Sequence, residues 1–150
     1  MAATLLRSQF KIRQENTGAA LVSLKDWATH WVEAEERGYA DPHHDPDWVD
    51  DLCNAGSLDD AFYTLGWDPV WLDGDIIGLY QHTFDNVDEM YEAAMAALHG
   101  IVEPRSYMIF HGDDDDLFRW AWEPNGFYVG SNGRIVFDND STNFKVDPWK

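Results

Sequence analysis

The stretch SYMIFHGDDDDLFRWAW, residues 106–122, decides the fold. In its second half Phe118, Trp120 and Trp122 fall on one side and Leu117, Arg119 and Ala121 on the other, the period of two that a strand imposes. SYMIFH reads as the preceding strand. The polar run between them, Gly112 to Asp116, reads as the turn of an antiparallel hairpin. Two further strand-like runs follow, GFYVG and GRIVFD, separated by the turn signals EPN and SNG. The result is a three- or four-stranded meander.

Upstream, helical spacing alternates with short strands. SQFKIR, residues 8–13, has Phe10 and Ile12 on one side and fits a first strand. Ser23 with Asp26 resembles a capping box, and Leu24, Trp27, Ala28, Trp31 and Val32 form the apolar stripe of a helix that Gly38 closes. Asp45 with Pro46 opens a short helix, and Ser57 caps another that carries Leu58, Ala61, Phe62 and Leu65 inward. In PVWLDGDIIGLYQHT, Asp73 and Gly74 join two apolar runs, the sequence signature of a type I′ hairpin turn. Asp85 is read as the cap of a last helix with Val87, Met90, Tyr91, Ala94 and Leu98 on one face, ending at Gly100. The expected class is α+β, with an antiparallel sheet of about five to six strands, including hairpins near 70–82 and 106–138, packed against three to four helices.

The 150 residues fit a single acidic globular domain, 1–150, with eight Trp, six Tyr and eight Phe to fill a core. The apolar runs fall well short of the ~20 residues a membrane span needs, and Arg7, Lys11 and Arg13 interrupt the stretch where a secretory signal would be apolar. A cytoplasmic location is expected. Cys53 is the chain's single cysteine, so it has no partner for an internal disulfide or a cysteine-built zinc site.

Charge is the strongest global signal. The chain has 28 acids against 10 Lys and Arg, a net charge of -18. Residues 1–37 are balanced, with five bases and five acids, whereas residues 38–104 hold fifteen acids and no Lys or Arg. Such a segment cannot neutralise itself, and like charges within a Debye length of ~8 to 10 Å repel. Its field repels nucleic acid and anionic membranes and attracts basic protein surfaces.

The motifs that would carry catalysis are absent or unspecific. DPHHDPD, Asp41 to Asp47, holds metal-competent side chains, but adjacent residues on an extended chain point apart, and the segment reads as a polar loop with exposed His43 and His44. The four aspartates fail as a calcium loop, because Leu117 and Phe118 occupy the fifth and sixth positions where a ligand and a glycine belong. Cys53 lies in the acidic context DDLCNAG, without the basic neighbours that activate a nucleophilic cysteine. Neither a phosphate-cradling glycine loop nor a G-x-S-x-G elbow occurs. A non-catalytic protein without cofactor or metal is expected.

The individual acids are ordinary at helix N-termini, where the dipole favours them by ~0.3 to 1 kcal/mol each. The missing bases are not, since a surface normally mixes both signs. The expected partner-binding surface is therefore Asp41, Asp45, Asp47, Asp50, Asp51, Asp59, Asp60, Asp88, Glu89 and Glu92, with the run Asp113, Asp114, Asp115 and Asp116. In size and charge the chain resembles the DNA-mimicking inhibitors that phages and mobile elements direct against nucleases. That resemblance implies a basic, DNA- or RNA-binding protein as partner, with no direct contact to nucleic acid or membrane. Two other readings share the charge: an immunity or antitoxin protein neutralising a basic nuclease toxin, and a salt-adapted acidic domain without a charge-specific partner.

Overall fold

Phe118, Trp120 and Trp122 do share a sheet face, and the core is built on it. The computed structural model describes residues 2–36, 47–112, 116–133, 135–137 and 144–146. Strands β1 (Thr4–Gln9), β4 (Ser106–His111), β5 (Leu117–Glu123) and β6 (Gly126–Gly133) form one antiparallel sheet in the order β1-β4-β5-β6. Strands β2 (Trp67–Leu72) and β3 (Asp75–Gln81) form a hairpin, and β7 (Ile135–Phe137) pairs with β8 (Phe144–Val146) in a third ladder. With helices α1 (Thr17–Glu36), α2 (Asp47–Cys53), α3 (Leu58–Thr64) and α4 (Glu89–Ala96), the fold is α+β. Among the described residues no helix is long and apolar enough to cross a membrane.

Cross-strand pairing puts Met108 beside Trp120 and Phe110 beside Phe118, so the alternation of two strands converges on one apolar surface. Met108, Phe110, Trp120 and Trp122 are buried there with Phe10, Phe62, Trp67 and Met95. Phe10 stands edge-on between Phe62 and Trp122, at centroid distances of 6.1 and 5.2 Å. Each such side chain contributes ~1.5 to 3 kcal/mol when taken fully from water. The aromatic richness of the sequence is thus spent mainly on the core.

Two indole hydrogen bonds fix α4 on this surface. Trp122 Nε1 donates to the Met95 carbonyl and Trp120 Nε1 to Glu92 Oε2, both at 3.0 Å. Proceeding from Met95 to Glu92, α4 follows β5 from Trp122 to Trp120, so its N-terminus points toward the β4–β5 turn. Helix α1 packs behind, with Ala20, Leu24 and Ala28 buried at four-residue spacing, Ser23 Oγ donating to the Ala97 carbonyl at 2.6 Å, and Lys25 Nζ donating to the Ala55 carbonyl at 2.8 Å.

The β2–β3 hairpin lies along β1. Ile12 and Ile76 exchange backbone hydrogen bonds of 2.9 Å, and the Gln81 side chain receives one from the Leu5 N–H (2.8 Å) and gives one to the Ala3 carbonyl (2.9 Å). Its turn has positive φ at both Asp73 (52°) and Gly74 (87°), as the Asp-Gly pair requires.

Several boundaries differ from the sequence reading. The first strand is Thr4–Gln9, upstream of 8–13; Phe10 and Ile12 are buried beyond it. Helix α1 starts at Thr17, after a 3-10 turn at Gln14–Asn16, and Ser23 lies within it, bonded to another element instead of capping its own. The last helix begins at Glu89, with Asp88 and not Asp85 before it. GRIVFD contributes β7, which leaves the meander and pairs with β8. Ser57 is the cap of α3, its hydroxyl accepting from the Asp60 N–H at 3.1 Å. The expected Asp45–Pro46 cap lies outside the described residues.

Candidate functional site

Part of the expected acidic surface lies toward one end of the four-stranded sheet. At that end lies the β4–β5 turn, where the Gly112 N–H donates to the Asp116 carbonyl at 2.8 Å. Because β1 is antiparallel to β4, Thr4 pairs with His111 at this same end. The Ala3 N–H then bonds the Phe84 carbonyl at 2.9 Å, which brings Asp85 there. The acidic N-terminus of α4, Asp88 and Glu89, points the same way.

An aromatic ladder adds α2 to this end. Tyr91 of α4 stacks on Trp48 of α2 (4.4 Å, 13°), Trp48 on Trp27 of α1 (5.8 Å, 7°), and Trp27 lies near-parallel to Trp31 (6.3 Å, 24°). All four rings are partly buried and join the edge of the core. Val49 and Leu52 point α2 into the core, so Trp48 flanks that face. Asp51, one turn along from Trp48, and Asp47, just before it, are exposed beside the ladder. Burial, then the charges of Asp88 and Asp85, raise the Tyr91 pKa above its ordinary value. Those two carboxylates therefore lie close enough to the phenol to oppose its ionisation.

Glu92, expected on the partner-binding surface, instead reaches the sheet through Trp120. It is half-buried against Trp120, and its pKa is raised by desolvation, against the lowering effect of the indole hydrogen bond and with a further rise from Glu89. It links α4 to the sheet.

The other end of the sheet holds both ion pairs found between described residues. Lys11 pairs with Asp75 at 3.9 Å and Arg13 with Glu103. Asp59 and Asp60, in the first turn of α3, belong to neither group: Asp59 Oδ1 accepts from Trp71 Nε1 of the hairpin at 2.7 Å. Asp50 is exposed on α2. Of the expected site, Asp41, Asp45, Asp113, Asp114 and Asp115 lie outside the described residues, as do His43 and His44. The fold thus gathers Asp47, Asp51, Asp88, Glu89 and Asp116 toward one end, and leaves Asp59 and Asp60 elsewhere.

Sequence reasoning read Asp85 as a helix cap and left it out of the partner-binding surface, and it did not reveal Trp48 and Tyr91 as the scaffold. The signal was present in part: Trp27 and Trp31 at i and i+4 define a ring surface wider than the aliphatic stripe needs, but which residue from another helix covers it is a long-range fact. Among the described residues no three His, Cys, Asp or Glu side chains gather as a metal would require. Cys53 faces Thr29, whose hydroxyl lies 3.9 Å from the sulfur. Compared with family models, with curated proteins and with solved structures, the chain matches none.

Proposed function

We propose that the chain is a non-catalytic inhibitor that presents its acidic end to a basic, nucleic-acid-binding protein and occupies the surface that protein uses for DNA. One observation carries this reading: carboxylates from three separate segments, α2, residues 85–89 and the β4–β5 turn, converge at one end of the sheet, while the ion pairs Lys11–Asp75 and Arg13–Glu103 lie at the other. Concentrating like charge costs folding stability, so the convergence of these carboxylates has to be accounted for. A duplex presents one charge per ~1.7 Å of its axis, and a rigid array of carboxylates offers a basic cleft a comparable counter-surface. The ladder supplies the rigidity, because stacked rings hold α2 and α4 in fixed register.

The test is capture of partners from host lysate at about 50 mM salt, repeated at about 300 mM, with the captured protein then assayed for duplex binding in the presence of the chain. A nucleic-acid-binding protein retained at low salt, released at high salt and displaced from DNA is the expected result. Replacing Asp47, Asp51, Asp85, Asp88 and Glu89 by their amides should weaken displacement in a graded way. A salt-insensitive partner, or one that binds DNA and the chain together, counts against mimicry; a captured nuclease toxin turns the same surface to immunity.

A further inference from the structure

The β2–β3 hairpin has one face in the core and one that is uncovered. Cross-strand pairs share a face. Trp67, buried completely, pairs with Gln81, and Pro69 with buried Leu79, which sets these pairs inward. The alternate pairs, Asp68 with Tyr80, Val70 with Gly78 and Leu72 with Asp75, therefore point outward. On that side Tyr80 is 70% exposed and Leu72 56%. Water contact with such side chains is unfavourable, and large apolar side chains exposed on one face mark a site of association.

Side-chain contacts brace the hairpin at both of its ends. The Tyr63 ring, itself exposed, stacks on His82 at 4.4 Å, and the His82 ring bonds the Tyr63 carbonyl at 3.0 Å, two residues beyond Tyr80. At the opposite end of the hairpin, Trp71 is held by its bond to Asp59. These contacts hold the two ends of the hairpin, so its backbone loses little freedom on binding.

The surroundings are acidic. Asp68 lies on the face itself, Asp73 forms its turn, and Asp75 borders it, with Lys11 3.9 Å from Asp75. A second copy of the chain, with the same net charge of -18, would bring like charge against like. We infer that the outward face of the β2–β3 hairpin, centred on Leu72 and Tyr80, is an apolar anchor for a basic protein partner, a segment with an apolar centre and a Lys- or Arg-rich rim. This inference rests on the proposed electrostatic function and adds to it a short-range contact that salt does not screen.

Two labelled peptides test it on the full chain: four lysines flanking a central Leu-Trp-Leu, and the same lysines flanking Ser-Gly-Ser. The chain should bind the apolar-centred peptide about tenfold more tightly. The double variant Leu72→Ser with Tyr80→Ser should lose that preference and keep the weaker, salt-sensitive affinity common to both peptides. Both side chains are exposed, so the variant should melt as the parent does. Equal binding of the two peptides, or a preference the variant retains, overturns the anchor and leaves the acidic reading standing. No binding of either peptide at low salt overturns the acidic reading first. Sedimentation showing a dimer that the double variant dissolves assigns the face to a second copy, and the inference fails.

Discussion

At Glu92 a carboxylate gives up part of its hydration and gains one indole hydrogen bond. Desolvation dominates and raises its pKa from the ordinary 4.5, with Glu89 adding to the rise and Trp120 opposing it. Between the ordinary and the raised value the folded chain holds more protons than the unfolded one, so stability falls as pH rises through that window. Glu92 contributes most to stability below the window and loses that contribution above it. Glutamine keeps an acceptor for Trp120 Nε1 and cannot ionise. Glu92→Gln should therefore match the parent in urea midpoint near pH ~4 and exceed it at pH ~7. A lower midpoint for the variant at neutral pH would mean that the charged indole bond outweighs desolvation. Nothing in the sequence distinguished Glu92 from Glu89, because the difference is made by a tryptophan 28 residues away.

Elements begin and end where side chains from elsewhere allow, and this explains most of the boundary errors. Asp85 reads as the cap of α4 and residues 86–88 as its first turn, yet that segment is held off the helix by two long-range ties. The Phe84 carbonyl accepts from Ala3, and buried Asn86 donates to the Leu65 carbonyl at 3.1 Å while accepting from Gln81 Nε2 at 3.1 Å. An asparagine in an apparent first turn is compatible with a helix from sequence alone; its role as a buried staple is not legible there. Ser23 gives the parallel case, a capping residue by type that instead bonds the end of α4. The local signals held where chemistry was local: Asp73–Gly74 and the Ser57 cap.

Two glycines sharpen the point. Gly66 and Gly100 have nearly the same positive φ, 91° and 87°. A Cβ at Gly100 meets nothing within 4 Å, whereas one at Gly66 lies 2.5 Å from Thr83 Cγ2 and 2.6 Å from Asn86 Nδ2. Gly100→Ala should cost only the left-handed backbone penalty, about 1 to 2 kcal/mol. Gly66→Ala should cost about 3 kcal/mol or more, because it also displaces the Asn86 staple. Chemical denaturation of both variants measures the difference, and similar losses would show that the staple yields easily.

For the molecule as a whole, fold class and charge imbalance were both legible, and the arrangement of the charge was not. Composition showed that residues 38–104 lack bases. It could not show that α2 and residues 85–89 meet, since a Trp48–Tyr91 stack spans 43 positions of sequence. Carboxylates gathered at one end repel one another in the free protein, so screening should stabilise it. Melting temperature is expected to rise by a few °C between about 50 and 300 mM salt, the range over which partner binding weakens. An unchanged melting temperature would mean that repulsion at the acidic end is negligible.

The ladder that aligns α2 with α4 has an optical consequence. Three indoles and a phenol lie nearly parallel at centroid spacings from 4.4 to 6.3 Å, close enough for their electronic transitions to couple. Coupled transitions give a circular dichroism signal that depends on the angle and spacing of the rings. Asp88 and Asp85 act on the Tyr91 ring of that stack, so whatever docks on them changes the field at the chromophores. The acidic end therefore carries its own spectroscopic reporter, readable without a label.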